Sequence, residues 1–301
     1  MKDTLSNEVQ EQQRKEHEQR IIEWRKQHNY PWKKRLSTKK EIKGMIFLGC
    51  SFTWGQGLYY YSNLDSLREP PPDHYDTMVL TRSHIEFMKT LRYPRLVANH
   101  FNTFEYVAPH NGGSNQSTIE WCEDSIFGRH GDYEPAKHSE ISHLVFQLTQ
   151  WQRKHFFVTH KGQTLDLNNY NHASSPRFTD YLIDNNMTMD DFEDWGVQQN
   201  LIDVKNFLMS MEAHGIKTYI MSWPGYYLKH IENDDFLSSR FLTFSYKGKN
   251  YSSLDNLMFK NSEMIINSDF EEFVDTPKDH HPSAKCHRLI ADTVIKKIES
   301  E

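Results

Sequence analysis

The chain has 301 residues, of which 37% are hydrophobic, and its formal net charge is −6. This length and composition allow a sizeable buried core, and the negative charge argues against nucleic-acid binding as the main activity. No apolar run approaches the ~20 residues of a transmembrane helix, and the polar amino terminus lacks a secretory signal, so we expect a cytoplasmic protein with no membrane span. The three cysteines lack CxxC spacing and suggest neither a disulfide framework nor a zinc site.

Residues 1–43 are interpreted as a segment apart from the main domain. They are rich in Glu, Gln, Arg and Lys, which predicts a charged surface helix followed by a basic linker. Residues 44–301 predict one α/β domain. Loop insertions are expected in it at about 59–88 and 154–186, where the chain lacks a clear hydrophobic period.

The first predicted strand of this domain ends beside a serine. Met45–Leu48 is a short apolar run, and a tight turn containing Gly49 and Ser51 follows it. Such a turn exposes Ser51 at the carboxyl end of the strand, where open α/β sheets bind their ligands. Ser51 is therefore a candidate nucleophile, although most serines in such positions are turn or cap residues.

Further strands and helices are predicted in alternation along the chain. The strands are Phe104–Ala108, His143–Leu148 and Lys217–Ser222. The helices are one that opens at Pro94, one after Gly113, one that Thr188 caps and Gly215 ends, and a closing helix from about 284 to 299. A hairpin is expected between 241 and 251. This alternation predicts a parallel sheet covered by helices on both faces.

Three side chains near the predicted strand ends suit ester hydrolysis by a serine. The reaction needs a nucleophile, a general base, a group that orients the base, and donors for the developing oxyanion. Ser51 is the candidate nucleophile, His281 the base and Asp279 its partner, and the N–H groups of Ser51 and Gly113 are candidate oxyanion donors. The hypothesis requires a ring nitrogen of His281 within about 3.5 Å of Ser51 Oγ. A helix-entry histidine and a loop aspartate without chemistry are the simpler alternatives.

The motifs that carry these residues resemble three blocks of the SGNH, or GDSL, hydrolase superfamily. They are Gly49-Cys50-Ser51-Phe52-Thr53-Trp54-Gly55, Gly112-Gly113-Ser114-Asn115 and Asp279-His280-His281-Pro282-Ser283, in the family's order. The resemblance implies a flavodoxin-like three-layer α/β/α sandwich with a mainly parallel sheet. It also implies ester hydrolysis through a serine acyl-enzyme, with the roles of Ser51, His281, Asp279 and Gly113 given above.

One residue of the family pattern is absent. An asparagine that binds the oxyanion should follow Leu148, but the chain continues Thr149-Gln150-Trp151-Gln152-Arg153. Gln150 or Gln152 is a possible replacement donor, and Asn115 is another. Loss of one oxyanion donor costs about 3 kcal/mol in other enzymes, so low activity is compatible with this sequence. Cys50, which replaces the aspartate of the first block, is expected to be a packed residue pointing away from Ser51.

The resulting hypothesis is a serine esterase that removes an acetyl or other short acyl group from a small-molecule or carbohydrate ester. A non-catalytic binding domain of the same fold and an O-acyltransferase stay open as alternatives. We expect no cofactor and no metal, because the histidines near Asp279 do not form a recognised ligand pattern. Aromatic residues near strand ends line either a pocket or the core; they are Trp54, Tyr59, Tyr60, Trp151 and Trp223.

Overall fold

A computed structural model describes residues 43–58, 61, 82–108, 112–126, 140–167, 175–266 and 280–301. Its strands are β1 (Gly44–Leu48), β2 (Glu105–Val107), β3 (Ile141–Leu148), β4 (Phe157–His160), β5 (Gln163–Asp166), β6 (Lys217–Ser222), β7 (Phe244–Tyr246) and β8 (Lys249–Tyr251). A fully parallel sheet has the strand order β2-β1-β3-β6. The other strands form two antiparallel hairpins, β4 with β5 and β7 with β8.

Helices connect these strands. They are α1 (Ser51–Trp54), α2 (Arg82–Leu91), α3 (Tyr93–His100), α4 (Asn115–Trp121), α5 (Pro176–Asp184), α6 (Met189–Ala213), α7 (Leu228–Ile231), α8 (Asp235–Arg240), α9 (Leu254–Lys260) and α10 (Ala284–Glu299). A π-helical turn, Cys122–Ile126, continues α4. Short 3-10 turns occupy Trp151–Arg153, Gly225–Tyr227 and Ser262–Met264.

The side chains of β1 alternate between two buried clusters, one on each face of the sheet. Met45 and Phe47 pack in a cluster with residues of α3 and α10. Ile46 and Leu48 pack in a second cluster with residues of α4 and α6. A parallel strand that is covered on both faces needs such a continuous apolar run. The chain is therefore a three-layer, flavodoxin-like α/β/α sandwich, which confirms the predicted fold class.

The longest helix, α6, begins and ends where the sequence predicts. The N–H of Asp191 donates to Thr188 Oγ1 (3.1 Å) and the N–H of Thr188 donates to the Asp191 carboxylate (2.8 Å), which forms a capping box. At the other end, Gly215 adopts a φ of +79°, a left-handed conformation that glycine reaches without a steric penalty. The predicted bounds of β6 and α10 and the predicted hairpin near residue 247 are also confirmed.

Two stretches that the sequence predicts as irregular insertions contain regular structure. The hairpin β4–β5 and helix α5 lie within residues 154–186, and α2 covers the end of the 59–88 stretch. The strand β4 has four residues, and its Phe157 is exposed, so the short apolar run there does not show the alternation of a half-buried strand. In α5, Phe178, Tyr181 and Leu182 pack against the core at helical spacing, a signal that was not recognised in the sequence.

Several predictions lie outside the described residues. They are the charged helix within residues 1–43, its linker up to residue 42, and most of the 59–88 insertion. Within the described part of the chain, every helix is too short or too polar to cross a membrane.

Candidate active site

Ser51 is the first residue of α1 and lies directly beyond the end of β1. The carbonyl of Cys50 accepts hydrogen bonds from the N–H groups of Thr53 and Trp54, each at 3.0 Å, so the chain turns into a helix immediately after the strand. The N–H of Ser51 lies in the first turn of that helix, where no intrahelical acceptor is available to it. Ser51 is only 5% exposed. A hydroxyl buried to this extent needs a hydrogen-bond partner.

Gly49 allows the close approach on which this turn depends. A Cβ atom at Gly49 would overlap Thr53 Oγ1 and would lie 3.0 Å from the side chain of Gln147. Any larger residue would therefore displace the side chains beneath the turn.

A chain of buried hydrogen bonds fixes the turn from beneath. Thr53 Oγ1 donates to Gln147 Oε1 at 2.6 Å. Because a hydroxyl has one proton, the 3.0 Å contact between Thr53 Oγ1 and the Tyr93 hydroxyl is a bond that Tyr93 donates. The Gln147 amide donates in turn to Cys50 Sγ at 3.5 Å. Burial raises the pKa of Tyr93, which keeps the phenol protonated as a donor. Residues of β3 and α3 thus hold the turn that carries Ser51.

His281 approaches Ser51 from the loop before α10. Its Nε2 lies 2.8 Å from Ser51 Oγ, within the distance that the sequence hypothesis requires. The carbonyl of His281 accepts from the N–H of Ile266 (3.0 Å), and the N–H of Ser283 donates to the carbonyl of Met264 (2.8 Å). These bonds hold the backbone on both sides of the histidine. In the tautomer protonated at Nδ1, Nε2 accepts the Ser51 hydroxyl proton, as a general base must.

The serine of the His-Pro-Ser motif caps α10. Ser283 Oγ accepts from the N–H of Cys286 at 3.2 Å, and the hydroxyl of Tyr61 accepts from the N–H of Ala284 at 3.1 Å. Two of the free donors at the start of the helix are thereby satisfied. The motif therefore has a structural function, the start of α10, directly beside the histidine.

Two aromatic rings follow one another next to His281, and the first of them, Phe52, is buried in the core. The Phe52 and His281 ring centroids are 5.2 Å apart with an interplanar angle of 64°. The half-buried ring of Trp223, which follows β6, lies 4.5 Å from Phe52. Of the predicted pocket aromatics, Trp223 thus lies one ring away from His281.

The other predicted pocket aromatics differ in position. Trp151 is buried in the core, and it packs so closely on α6 that a Cβ atom at Gly196 would overlap its ring. Trp54 is half-buried in α1. Tyr59 and Tyr60 lie outside the described residues.

Gly113 lies in the turn before α4, as the sequence predicts, and its carbonyl accepts from Arg153 Nη1 at 3.3 Å. The preceding residue, Gly112, has a φ of +76°. A left-handed residue at this position suits glycine, so the turn geometry alone explains one glycine of the pair. The oxyanion role of Gly113 stays a prediction.

Asn115 has a structural role that speaks against its predicted oxyanion role. Its amide donates to Asn200 Oδ1 (3.2 Å) and to the Tyr227 hydroxyl (3.1 Å), and its Oδ1 accepts from the N–H of Thr149 (2.8 Å). The Tyr227 hydroxyl donates in turn to the carbonyl of Thr149 (2.9 Å). Both amide protons of Asn115 are therefore engaged, and the side chain ties α4 to α6 and to the end of β3.

The two glutamines that follow β3 differ in their surroundings. Gln150 is half-buried and directly follows Thr149, at the carboxyl end of the strand. Gln152 Oε1 accepts from the hydroxyl of Tyr226 at 3.2 Å, which anchors that side chain to the 3-10 turn Gly225–Tyr227. The oxyanion role of Gln150 stays a prediction.

Asp279, His280 and His287 are the remaining candidates near His281 in the sequence. Asp279 lies outside the described residues, and His280 is exposed. His287 is fully buried, and burial, with the charges of His281 and Arg92 as smaller causes, lowers its pKa to about 3. Its Nδ1 accepts from the N–H of Tyr93 at 3.2 Å. Among the described residues, no group of three or more His, Cys, Asp or Glu side chains is arranged to hold a metal ion.

The side chains that support Ser51 were not predicted from the sequence. Gln147 is a fully buried polar residue in an apolar strand, and buried polar groups of this kind are normally hydrogen-bonded. That signal was present in the sequence. Its partner Thr53 lies 94 positions away in the chain, and Tyr93, which bonds to Thr53, lies 40 positions from Thr53. No local pattern connects these residues. Cys50 is fully buried and packs in the sheet core, as predicted.

Comparisons with known proteins add little to this geometry. No protein-family model matches the chain, and no curated protein matches it in sequence. One similar solved structure is described as "The active site of a carbohydrate esterase displays divergent catalytic and non-catalytic binding functions". It is 12% identical, with a TM-score of 0.45, over 88% of this chain and 67% of that one. At this level the similarity carries no argument about function, which has to come from the chain's own residues.

Proposed function

We propose that the protein is a serine esterase in which Ser51 is the nucleophile and His281 the general base. The observation that carries this proposal is the 2.8 Å contact between Ser51 Oγ and His281 Nε2 at the carboxyl end of a parallel strand. A nucleophile and base within hydrogen-bond reach are the minimal requirement for covalent catalysis by serine. The buried support of the turn and the hydrogen-bonded loop around His281 favour a preorganised pair.

The proposed reaction has two stages. His281 Nε2 takes the Ser51 proton as Oγ attacks the ester carbonyl, and the imidazolium then gives that proton to the departing alkoxide when the carbon–oxygen bond breaks. Water, deprotonated by the same nitrogen, hydrolyses the acyl-enzyme and restores Ser51. Asp279 is proposed to orient His281 through Nδ1, two positions before it in the chain.

The proposed oxyanion site uses backbone donors and one glutamine. The N–H of Ser51 is in the first turn of α1, and the N–H of Gly113 belongs to the neighbouring turn before α4. Gln150 is proposed as the side-chain donor, since both amide protons of Asn115 are engaged elsewhere. Donors of this kind stabilise the tetrahedral intermediate because they are fixed before the reaction begins.

The proposed substrate is a small-molecule or carbohydrate ester with a short acyl group. The half-buried ring of Trp223 supports this choice, because flat aromatic faces pack well against the apolar faces of acyl chains and sugar rings. Product analysis with a sugar acceptor present distinguishes hydrolysis from acyl transfer.

Hydrolysis of p-nitrophenyl acetate tests this function, with His280→Ala as the matched control for His281→Ala. Ser51→Ala and His281→Ala should each reduce kcat by at least about a thousandfold, as removal of a triad member does in other enzymes. His280→Ala, which changes the neighbouring exposed histidine, should retain the activity of the natural chain. Equal activity of Ser51→Ala and the natural chain would contradict the proposal.

A binding domain without turnover is the second candidate. It is favoured by one observation, the engagement of the Asn115 amide in a structural network, which leaves fewer donors for an oxyanion. Turnover by the natural chain that His281→Ala abolishes would exclude this second candidate.

A further inference from the structure

Arg153 lies at the same edge of the sheet as the Ser51–His281 pair. It ends the 3-10 turn Trp151–Arg153, which directly follows β3, and the residue is half-buried. Its Nη1 donates to the carbonyl of Gly113 at 3.3 Å. Since β3 pairs with β1 in parallel, the carboxyl ends of both strands meet at one edge, where Ser51 also lies.

Trp223 and Phe52 connect Arg153 with His281. The guanidinium carbon of Arg153 is 5.3 Å from the centre of the Trp223 ring, a cation–π distance. Trp223 contacts Phe52 at 4.5 Å, and Phe52 contacts His281 at 5.2 Å. Two aromatic rings, Trp223 and Phe52, therefore separate the positive charge of Arg153 from the proposed base.

This charge is not neutralised by a carboxylate among the described residues. Arg153 donates to the Gly113 carbonyl, contacts the Trp223 ring and interacts electrostatically with the Tyr226 hydroxyl. Asp255 is the acidic residue next to Trp223, since its N–H donates to the Trp223 carbonyl at 3.1 Å. Its carboxylate accepts instead from the N–H of Gly225 (3.0 Å) and from Ser253 Oγ (2.5 Å).

Several other cations among the described residues are paired with a carboxylate. Arg95 pairs with Glu105 at 2.5 Å, and Lys205 pairs with Asp234 at 2.7 Å. A guanidinium has five N–H donors in a planar fork, and Arg153 uses one of its nitrogens for Gly113. The remaining donors suit a carboxylate or phosphate, which the fork binds through two parallel hydrogen bonds.

We propose that Arg153 binds an anionic group, a carboxylate or a phosphate, that the ester substrate carries near the scissile bond. The proposal rests on the proposed esterase function and narrows its substrates to acidic esters, such as acylated uronic acids or acylated sugar phosphates. Arg153 is then the residue that distinguishes these from neutral esters.

Binding to a Ser51→Ala background tests this without turnover. The probes are acetylated methyl glucuronoside, acetylated glucose 6-phosphate and, as the neutral reference, acetylated methyl glucoside, each measured by calorimetry. Adding Arg153→Gln should raise the Kd for at least one anionic probe roughly 10- to 100-fold, the range for hydrogen bonds to charged groups, and should change the Kd for the neutral probe much less. The anionic probe that responds identifies the group as carboxylate or phosphate.

Two further variants separate charge recognition from a structural effect. Lys217→Gln removes the same unit charge at the start of β6, which lies at the amino-terminal ends of the parallel strands, away from Ser51. This variant should leave all three Kd values unchanged. Arg153→Lys keeps the charge without the planar fork, so its Kd for the anionic probe should lie between those of the Ser51→Ala background and Arg153→Gln. Raising the salt concentration should weaken binding of the anionic probe only when Arg153 is present.

Several results would overturn the proposal. One is equal affinity for the neutral and the anionic probes, and another is an equal loss of affinity for both kinds of probe in Arg153→Gln. The third is that neither of the two anionic probes binds. Each leaves the esterase function itself to be decided separately, because hydrolysis of neutral p-nitrophenyl acetate by the natural chain does not depend on Arg153 selectivity.

Discussion

The side chains of Ser51 and His281, 230 positions apart in the chain, approach each other to 2.8 Å between Oγ and Nε2. The parallel sheet brings about this contact, because only two residues separate Ser51 from the end of β1 and the loop before α10 returns to the same edge. Hydrogen bonds on both sides of the contact hold the two residues in place. Thr53 fixes the serine turn to Gln147, and Ile266 and Met264 hold the histidine loop.

The hydrogen-bond chain beneath the turn should contribute strongly to stability. Thr53→Val removes the donor of Gln147 Oε1 and the acceptor of the Tyr93 hydroxyl, so two buried polar atoms lose their partner. We expect the free energy of unfolding, from denaturant titration, to fall by about 2–4 kcal/mol. The control is Thr293→Val, whose half-buried Oγ1 donates only to the Leu289 carbonyl (2.9 Å) within α10, and which should cost less than about 1 kcal/mol. Equal losses for both variants would contradict the network.

Gly49 should not tolerate even one added carbon atom. Gly49→Ala places a Cβ atom against Thr53 Oγ1 and Gln147, and overpacking of this kind costs about 1–3 kcal/mol. At Gly225 the nearest atom would be 3.4 Å from an added Cβ, so Gly225→Ala should fold with nearly the stability of the natural chain. Thermal melting of the two variants checks the difference, and a stable Gly49→Ala protein would show that the turn is looser than described.

His287 should make the fold acid-sensitive. The unfolded histidine, with a pKa near 6.5, binds a proton below that pH, whereas the folded one stays neutral until its pKa of about 3. Its contribution to stability is therefore complete above pH 6.5 and is lost as the pH falls from 6.5 towards 3, by at most about 1.4 kcal/mol per pH unit.

The test is His287→Gln, which removes the titration and keeps an acceptor for the N–H of Tyr93. Between pH 7 and pH 5 the natural chain should lose about 2 kcal/mol more of its unfolding free energy than this variant. Parallel pH profiles of the two proteins would mean that His287 does not carry the effect.

Gln150 should affect the rate rather than the stability. If its amide binds the oxyanion, Gln150→Ala should lower kcat roughly a hundredfold with little change in KM, as loss of an oxyanion donor does elsewhere. Gln152→Ala serves as the control, because that side chain accepts from Tyr226 and should alter kcat less than about threefold. Similar kcat values for Gln150→Ala and the natural chain would leave the oxyanion to backbone donors alone.

The fold was predictable because its core strands carry simple patterns. The apolar runs of β1, β3 and β6 and the Thr188 capping box identify buried strands and a helix start without further information. The hairpin β4–β5 and helix α5 were missed, since their residues are largely exposed or half-buried and tertiary contacts determine their structure.

The candidate site was predictable where residues lie in motifs and unpredictable where they meet across the fold. Ser51, Gly113 and His281 each sit in a recognisable local sequence, and Ser51 and His281 are in contact, while their catalytic roles stay predictions. The network of Asn115 with Asn200 and Tyr227 joins residues 85 and 112 positions apart. No local pattern reports such contacts, so the sequence could not reveal that the Asn115 amide is engaged.

The most direct measurement is the site of covalent labelling by a fluorophosphonate, located by mass spectrometry of the digested protein. This reagent reports an activated serine, because the nucleophile has to be deprotonated as it attacks phosphorus. We predict a single adduct on Ser51, absent in Ser51→Ala, strongly reduced in His281→Ala and retained in His280→Ala. An adduct on another serine, or labelling that Ser51→Ala leaves unchanged, would contradict the assignment of Ser51 as the nucleophile.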